Sequence, residues 1–211
     1  MSAAEAIRTT RIVPVVEIED VERAAPLARA LVDGGIPVIE VTMRTPAALA
    51  AIREIAREVP EMTVGAGTVL DAEQAREAAA AGAAFLVSPG FAPGISEAAA
   101  GLGLPLYPGA VTASEVLQAM AAGHRVLKFF PAEASGGLPV LRALSAPLAH
   151  AGVAFMPTGG VTLANLADYL AAPGVVAVGG TWIARRADIA RGDFAGITAA
   201  ARDAARVAAS V

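Results

Sequence analysis

Strand-prone runs rich in Val, Ile and Phe alternate with Ala-rich helical runs about eight times along this chain, with no composition shift that would mark a linker. That alternation is the pattern of a parallel sheet whose strands are joined by helical crossovers. Strands are expected near Ile12–Glu17, Val38–Met43, Thr63–Thr68, Phe85–Ser88, Pro105–Tyr107, Val126–Phe130, Ala154–Pro157 and Val175–Val178. Helices fill the gaps, near Val21–Asp33, Pro46–Glu58, Ala72–Ala81, Gly94–Gly101, Ala113–Ala122, Leu138–Ala149, Leu163–Ala171 and Ala187–Ala209. Asp20 before Val21 and Thr45 before Pro46 read as helix starts, while Gly34, Gly82, Gly101 and Gly123 stand where helices should stop. So many β/α units in 211 residues predict a compact (β/α)8 TIM barrel, one domain over residues 1–211. An open dinucleotide-binding sheet fits less well, because Leu70 stands where the third glycine after Gly65-Ala-Gly67 would be needed.

Charge and composition narrow the partners. The formal net charge is −4, with acids and bases interspersed, so there is no basic stripe for nucleic acid. Apolar runs are broken every few residues by Pro, Gly or charge, which predicts no membrane span. The first residues carry no cationic start followed by an apolar segment, and the expected location is cytoplasmic. Cysteine is absent, which removes thiolate nucleophiles and Cys-ligated zinc. Small-molecule ligands are the expected partners.

Of the 16 basic side chains, 15 are Arg and one, Lys128, is Lys. It lies in Arg125-Val-Leu-Lys-Phe-Phe-Pro131, where strand alternation puts Val126, Lys128 and Phe130 on one face and Leu127 and Phe129 on the other. Either face of a barrel strand is buried, and a lysine there is costly unless paired or neutral. An amine must lose its proton to attack a ketone, and at an ordinary lysine pKa only about one molecule in 2,500 is neutral at pH 7. Desolvation among Phe and Leu favours the neutral form, so the apolar flanks belong to the activation of a Schiff-base nucleophile. Arginine could not do this, because its guanidinium stays protonated.

The second strand, Val38-Ile-Glu-Val-Thr-Met-Arg-Thr45, carries Glu40, Thr42 and Arg44 on one face. Glu40 reads either as half of a buried Glu–Arg pair or as a general acid/base close to the lysine. In the second reading Arg44 is free to bind a substrate carboxylate through its planar fork. Thr68, after the third strand, is either a ligand hydrogen-bond donor or a helix cap, and Gly65-Ala-Gly67 before it reads as close backbone approach to a ligand. Ser88-Pro89-Gly90 follows the fourth strand.

Paired glycines close the last two strands, in Pro157-Thr-Gly-Gly-Val161 and Val178-Gly-Gly-Thr-Trp182. Two such loops at the ends of neighbouring strands suit a phosphate cradle, in which backbone N–H groups and a helix N-terminus face the anion. Thr181 adds a hydroxyl.

These motifs together resemble the 2-keto-3-deoxy-6-phosphogluconate (KDPG) aldolase family, often bifunctional with 4-hydroxy-2-oxoglutarate (KHG) aldolase. The resemblance runs from about Arg11 to Ala195 and rests on Ile39-Glu-Val-Thr-Met-Arg-Thr45, Val64-Gly-Ala-Gly-Thr-Val-Leu70, Ser88-Pro-Gly90, Lys128-Phe-Phe-Pro-Ala-Glu133, Pro157-Thr-Gly-Gly160 and Gly179-Gly-Thr-Trp182. It implies Lys128 as the Schiff-base lysine and Glu40 as the general acid/base. Arg44, Thr68, Pro89 and Phe130 would line the pyruvate end, and Thr158, Gly159, Gly160, Gly180 and Thr181 the phosphate end. The family usually has Ser at the position of Thr181.

The resemblance further implies a lyase of the Entner–Doudoroff pathway, typically a homotrimer. Class II aldolases use zinc instead of an imine, but His124 and His150, both at predicted helix ends away from the site, lack ligand spacing, so neither metal nor cofactor is expected. A related enzyme acting on the galactonate epimer or on an unphosphorylated keto acid, and a phosphosugar-binding barrel without chemistry, are the alternatives.

Overall fold

The computed structural model describes residues 1–211. Eight strands are present, all paired in parallel: β1 Ile12–Val16, β2 Val38–Thr42, β3 Thr63–Gly67, β4 Leu86–Ser88, β5 Leu106–Pro108, β6 Val126–Phe129, β7 Ala154–Pro157 and β8 Val178–Gly180. The ladder is not continuous. Six strands form one curled sheet in the order β5-β4-β3-β2-β1-β8, and β6 and β7 form a separate pair. Single bridges, Gly109 with Lys128 and Thr158 with Gly179, stand where the two sheets adjoin.

Strand side chains sort by a period of two, as the pleat requires. Val13, Val38, Phe85, Val87, Tyr107 and Met156 pack into an inner cluster closed off by Ala6 and Ile7. Their chain neighbours Ile12, Ile39, Leu86, Leu106 and Phe155 belong to a second cluster of 52 buried residues that extends to Ala208 and joins the sheet to the helices. Strands buried on both faces read as continuous apolar runs. A charged residue inside one is therefore conspicuous, and Glu40 and Lys128 both share the parity of the inner face.

Several boundaries differ from the expectation, each for a local reason. The helix Ala3–Thr10 lies before the first expected element; its start is a capping box in which Ser2 and Glu5 bond reciprocally. Asp20 does cap, but it opens a 3-10 turn, Val21–Arg23, and the α-helix follows as Ala24–Asp33. Thr45 is no cap: its hydroxyl donates to the Ile18 carbonyl, and the helix begins at Ala48. Helix Pro93–Leu102 runs past Gly101 and stops at Gly103, which takes the left-handed conformation (φ 68°).

The expected Leu138–Ala149 helix is Gly137–Ser145 followed by a 3-10 turn, and Leu163–Ala171 shortens to Leu166–Leu170. The final helix divides at Gly192 (φ 70°) into Arg186–Arg191 and Phe194–Ala209. The strand expected at Val175–Val178 begins only at Val178, so Gly179 and Gly180 are strand residues rather than loop. No helix is long and apolar enough to cross a membrane.

Candidate active site

Burial of the lysine and the glutamate follows from strand alternation. Val38 and Val126 face the inner cluster, so Glu40 and Lys128, two residues on, face the same way toward the C-terminal ends of β2 and β6. Lys128 is 3% exposed and Glu40 fully buried, and the Lys128 Nζ stands 3.2 Å from Glu40 Oε1. Nζ also lies 5.0 Å from the centroid of the Phe130 ring. Of the two readings left open for Glu40, the ion pair with an arginine is excluded, because its partner is Lys128. The second carboxylate oxygen, Oε2, is buried with no hydrogen-bond partner. Such orphaned buried groups are rare.

Gly65 and Gly67 make room for the protein's own side chains, a role the sequence did not suggest. A Cβ on Gly67 would fall 2.0 Å from Glu40 Oε1, and one on Gly65 2.3 Å from the Phe85 ring. Thr42 and Gly67 are register partners, as are Glu40 and Gly65, so the glutamate crosses in front of the neighbouring strand. Only a strand without side chains leaves that space.

Arg44 is not free. Its NH1 donates to Glu17 Oε1 at 2.8 Å and its Nε to Thr68 Oγ1 at 3.1 Å. Glu17, at the end of β1, was not singled out in the sequence. Thr68 is not a helix cap, since Asp71 caps the following helix by accepting from the Gln74 N–H. Thr68 instead adopts φ 57°, a conformation that a β-branched residue takes only where the surroundings impose it. Its hydroxyl thereby orients Arg44.

A cavity of about 90 Å³ gathers Arg44, Lys128, Phe130, Thr158, Gly159, Gly160, Gly180 and Thr181. Val15 and Val161 complete its lining and were not foreseen; they carry no signal beyond being apolar. A neighbouring chamber of about 230 Å³ shares Val15, Arg44 and Thr181 and adds Glu17, Arg185 and Arg186. Pro89 lies on the exposed loop after β4 and lines neither. Ser88 is buried, and its hydroxyl donates to the Gly90 carbonyl at 2.7 Å, shaping that loop.

The glycine pairs are constrained by the protein's own side chains as well as by any ligand. Gly159 and Gly160 both have left-handed backbones, φ 98° and 83°, and a Cβ on Gly160 would meet Glu133 at 2.5 Å. A Cβ on Gly179 would meet Thr158 Oγ1 at 2.3 Å, and one on Gly180 the Trp182 ring at 1.7 Å. No helix begins directly at either pair; the next ones start at Leu166 and Arg186. The backbone near Thr181 is thus strand and turn rather than a helix end. Glu133 accepts from the Tyr169 hydroxyl and from Asn165 Nδ2, and burial followed by that bond holds the Tyr169 phenol well above its ordinary pKa. This fixes the turn after β6 against the helix Leu166–Leu170 and its N-cap residue Asn165. No group of three His, Cys, Asp or Glu side chains is placed to hold a metal ion.

Comparison with known proteins gives concordant matches. The family model described as KDPG and KHG aldolase matches residues 3–200. The chain is 49% identical over 195 residues to the 2-dehydro-3-deoxy-phosphogluconate aldolase of Treponema pallidum (strain Nichols), covering 92% of each chain. It is 47% identical over 204 residues to the KHG/KDPG aldolase of Escherichia coli (strain K12), covering 96% of this chain and 95% of that one. Among solved structures, KDPG aldolase from Legionella pneumophila, with pyruvate captured as a covalent carbinolamine intermediate, superposes with a TM-score of 0.91 at 38% identity, covering 96% of this chain and 97% of that one.

Proposed function

This chain belongs to the KDPG and KHG aldolase family, and from that premise we propose that it works as a class I aldolase through an imine on Lys128. It cleaves 2-keto-3-deoxy-6-phosphogluconate to pyruvate and glyceraldehyde 3-phosphate, and 4-hydroxy-2-oxoglutarate to pyruvate and glyoxylate. The observation that carries the imine reading is the buried 3.2 Å contact between Lys128 Nζ and Glu40 Oε1 at the head of the glycine-lined cleft.

In this reading the neutral Lys128 amine adds to the C2 ketone, and the carbinolamine loses water to give a protonated imine. A base removes the C4 hydroxyl proton, the C3–C4 bond breaks, its electron pair enters the enamine, and the aldehyde leaves. Protonation at C3 and hydrolysis then free pyruvate and restore the amine. Glu40 moves the protons through Oε1, which faces the amine, while Oε2 is sealed and carries no bond of its own. The face of Phe130 lies where the imine's positive charge develops, which favours the charged intermediate. Arg44, held by Thr68, takes the substrate carboxylate after exchanging Glu17 for it. Thr158, Gly159, Gly160, Gly180 and Thr181 take the phosphate, and Pro89 borders the pyruvate end from its loop.

The same proposal treats residues 1–211 as one domain and the two sheets as one closed (β/α)8 barrel, a reading supported by the bridges Gly109–Lys128 and Thr158–Gly179. A cytoplasmic homotrimer serving the Entner–Doudoroff pathway completes it, on the strength of the family resemblance; a protomer mass in light scattering would remove the trimer.

The imine is tested by borohydride reduction with pyruvate followed by mass spectrometry. A single adduct on Lys128 is expected. Because there is no other lysine, an unmodified Lys128 peptide in active, pyruvate-saturated enzyme would overturn the assignment.

A further inference from the structure

A second cavity, of about 330 Å³, lies at the end of the strands opposite the Lys128 cleft. Its walls come from the first helix, from helix Pro93–Leu102, and from the turns that lead into β5 and β6. Its size is at the lower end of the range for small-molecule sites. Ile7, Ala99, Leu104 and Leu106 make most of the wall apolar, while Arg8 and Arg125 supply two positive charges and no acidic residue lines it. None of these residues belongs to the cleft described above.

Two details define what would fit. Tyr107 is only 5% exposed, and its ring packs edge-on against Phe85 with centroids 6.0 Å apart. A phenol so deeply placed ordinarily has a hydrogen-bond partner. The Tyr107 hydroxyl has none within the protein, and because Glu40 Oε2 is the one sealed side-chain atom without a partner, the Tyr107 oxygen must open onto the cavity. The second detail is the division of labour among the other polar groups. Arg125 NH1 is taken up by the carbonyls of Met120 and His124. His124 Nε2 pairs with Ser96 Oγ at 2.8 Å. Arg125 keeps NH2 and Nε, but only Arg8, whose charge acts on Tyr107, has a fork with no bond to the protein.

We propose that this cavity binds a small monoanion with an apolar body, an aryl or short-chain carboxylate, its carboxylate held by Arg8 and the Tyr107 hydroxyl and its hydrocarbon part against Ile7, Ala99, Leu104 and Leu106. The one wholly unbonded guanidinium fork matches one carboxylate. The site is independent of the aldol chemistry, so its test does not depend on that reading.

The probe is 4-fluorobenzoate, followed by fluorine NMR line broadening, with 4-fluorobenzamide as the uncharged control. Wild type is compared with Arg8→Gln, Tyr107→Phe and Ala4→Trp. Ala4 is an exposed position on the cavity rim, so the indole obstructs the mouth without entering the core. One saturable site is expected, weakened roughly tenfold or more in Arg8→Gln and about fivefold in Tyr107→Phe, the worth of a charge-assisted and a neutral hydrogen bond. Ala4→Trp should abolish it, and the amide should bind roughly tenfold more weakly than the acid. Aldol cleavage by Arg8→Gln should match wild type, which also reports an intact fold. The proposal is overturned by absence of saturable binding to wild type, by equal affinity for acid and amide, or by affinity indifferent to both Arg8→Gln and Ala4→Trp.

Discussion

Lys128 and Glu40, 88 residues apart in sequence, meet as a buried pair with Nζ 3.2 Å from Oε1. Strands β2 and β6 belong to different hydrogen-bonded sheets, so no ladder dictates this contact. It arises because both side chains point inward at the same level, where Gly67 has withdrawn its own bulk.

Replacing Glu40 by Gln keeps the shape and removes the base. The expected result is a fall in kcat of roughly 10²- to 10⁴-fold, with borohydride trapping of pyruvate on Lys128 slowed but still detectable. Turnover at the wild-type rate would remove Glu40 from the mechanism.

The pair also separates stability from function. Glu40→Leu alone leaves the Lys128 side chain buried without its partner and should destabilise by about 3–5 kcal/mol, whereas Glu40→Leu with Lys128→Met should be neutral or stabilising by about 1–4 kcal/mol and inactive. Urea denaturation of the two variants measures the difference; a double variant less stable than the single one contradicts it.

Gly65 and Gly67 predict different defects from the same substitution. Gly67→Ala pushes against Glu40 and Gly65→Ala against Phe85, and each should cost about 1–3 kcal/mol as overpacking. Only Gly67→Ala should lower kcat in the fraction that remains folded, as judged by steady-state rates at a temperature where circular dichroism shows both variants native.

Glu17 occupies Arg44 at 2.8 Å in a partly exposed pair. Exposed pairs are worth about 0.2–1 kcal/mol, so Glu17→Gln should lower KM by roughly 1.5- to 5-fold with little change in kcat, since the arginine no longer has to exchange one carboxylate for another. A KM that rises instead would mean that Glu17 positions the arginine and does not compete for it.

Burial, with the nearby Arg125 charge acting in the same direction, holds the His124 imidazole below its ordinary pKa of 6.5. Between 6.5 and the folded value the unfolded chain binds more protons than the folded one, so stability rises with pH across that window and is lost as pH falls through it. The urea midpoint of wild type should drop between pH 7.5 and 5.5 more than that of His124→Gln; parallel profiles would assign the dependence to other groups. The lowered carboxyls of Glu5 and Glu115, set by bonds to the Ser2 and Val111 backbones, act only at more acidic pH.

Much of the cleft was legible because its signals are local. One lysine in an apolar strand is conspicuous whatever surrounds it, and so are a glutamate of inner parity and glycine pairs at the ends of two strands. What was misread depended on neighbours distant in sequence. Gly65 and Gly67 were assigned to a ligand because the sequence does not state that Phe85 and Glu40 stand across from them. The reading in which Arg44 was free missed Glu17, which follows another strand. Thr45 was read as a helix start and Thr68 as either a ligand donor or a cap, yet the Thr45 hydroxyl donates to the Ile18 carbonyl and that of Thr68 accepts from Arg44.

By itself the sequence determined the β/α alternation, the inner parity of Val38, Glu40, Val126 and Lys128, and the chemical types available to the site, since periodicity and residue chemistry are properties of short segments. Only the tertiary structure decided which carboxylate meets the amine, what keeps Arg44 occupied, and that an unpartnered Tyr107 hydroxyl opens onto a second cavity. The reason is physical: strand curvature and register between segments set which inward-facing side chains share a level, and those depend on every strand together.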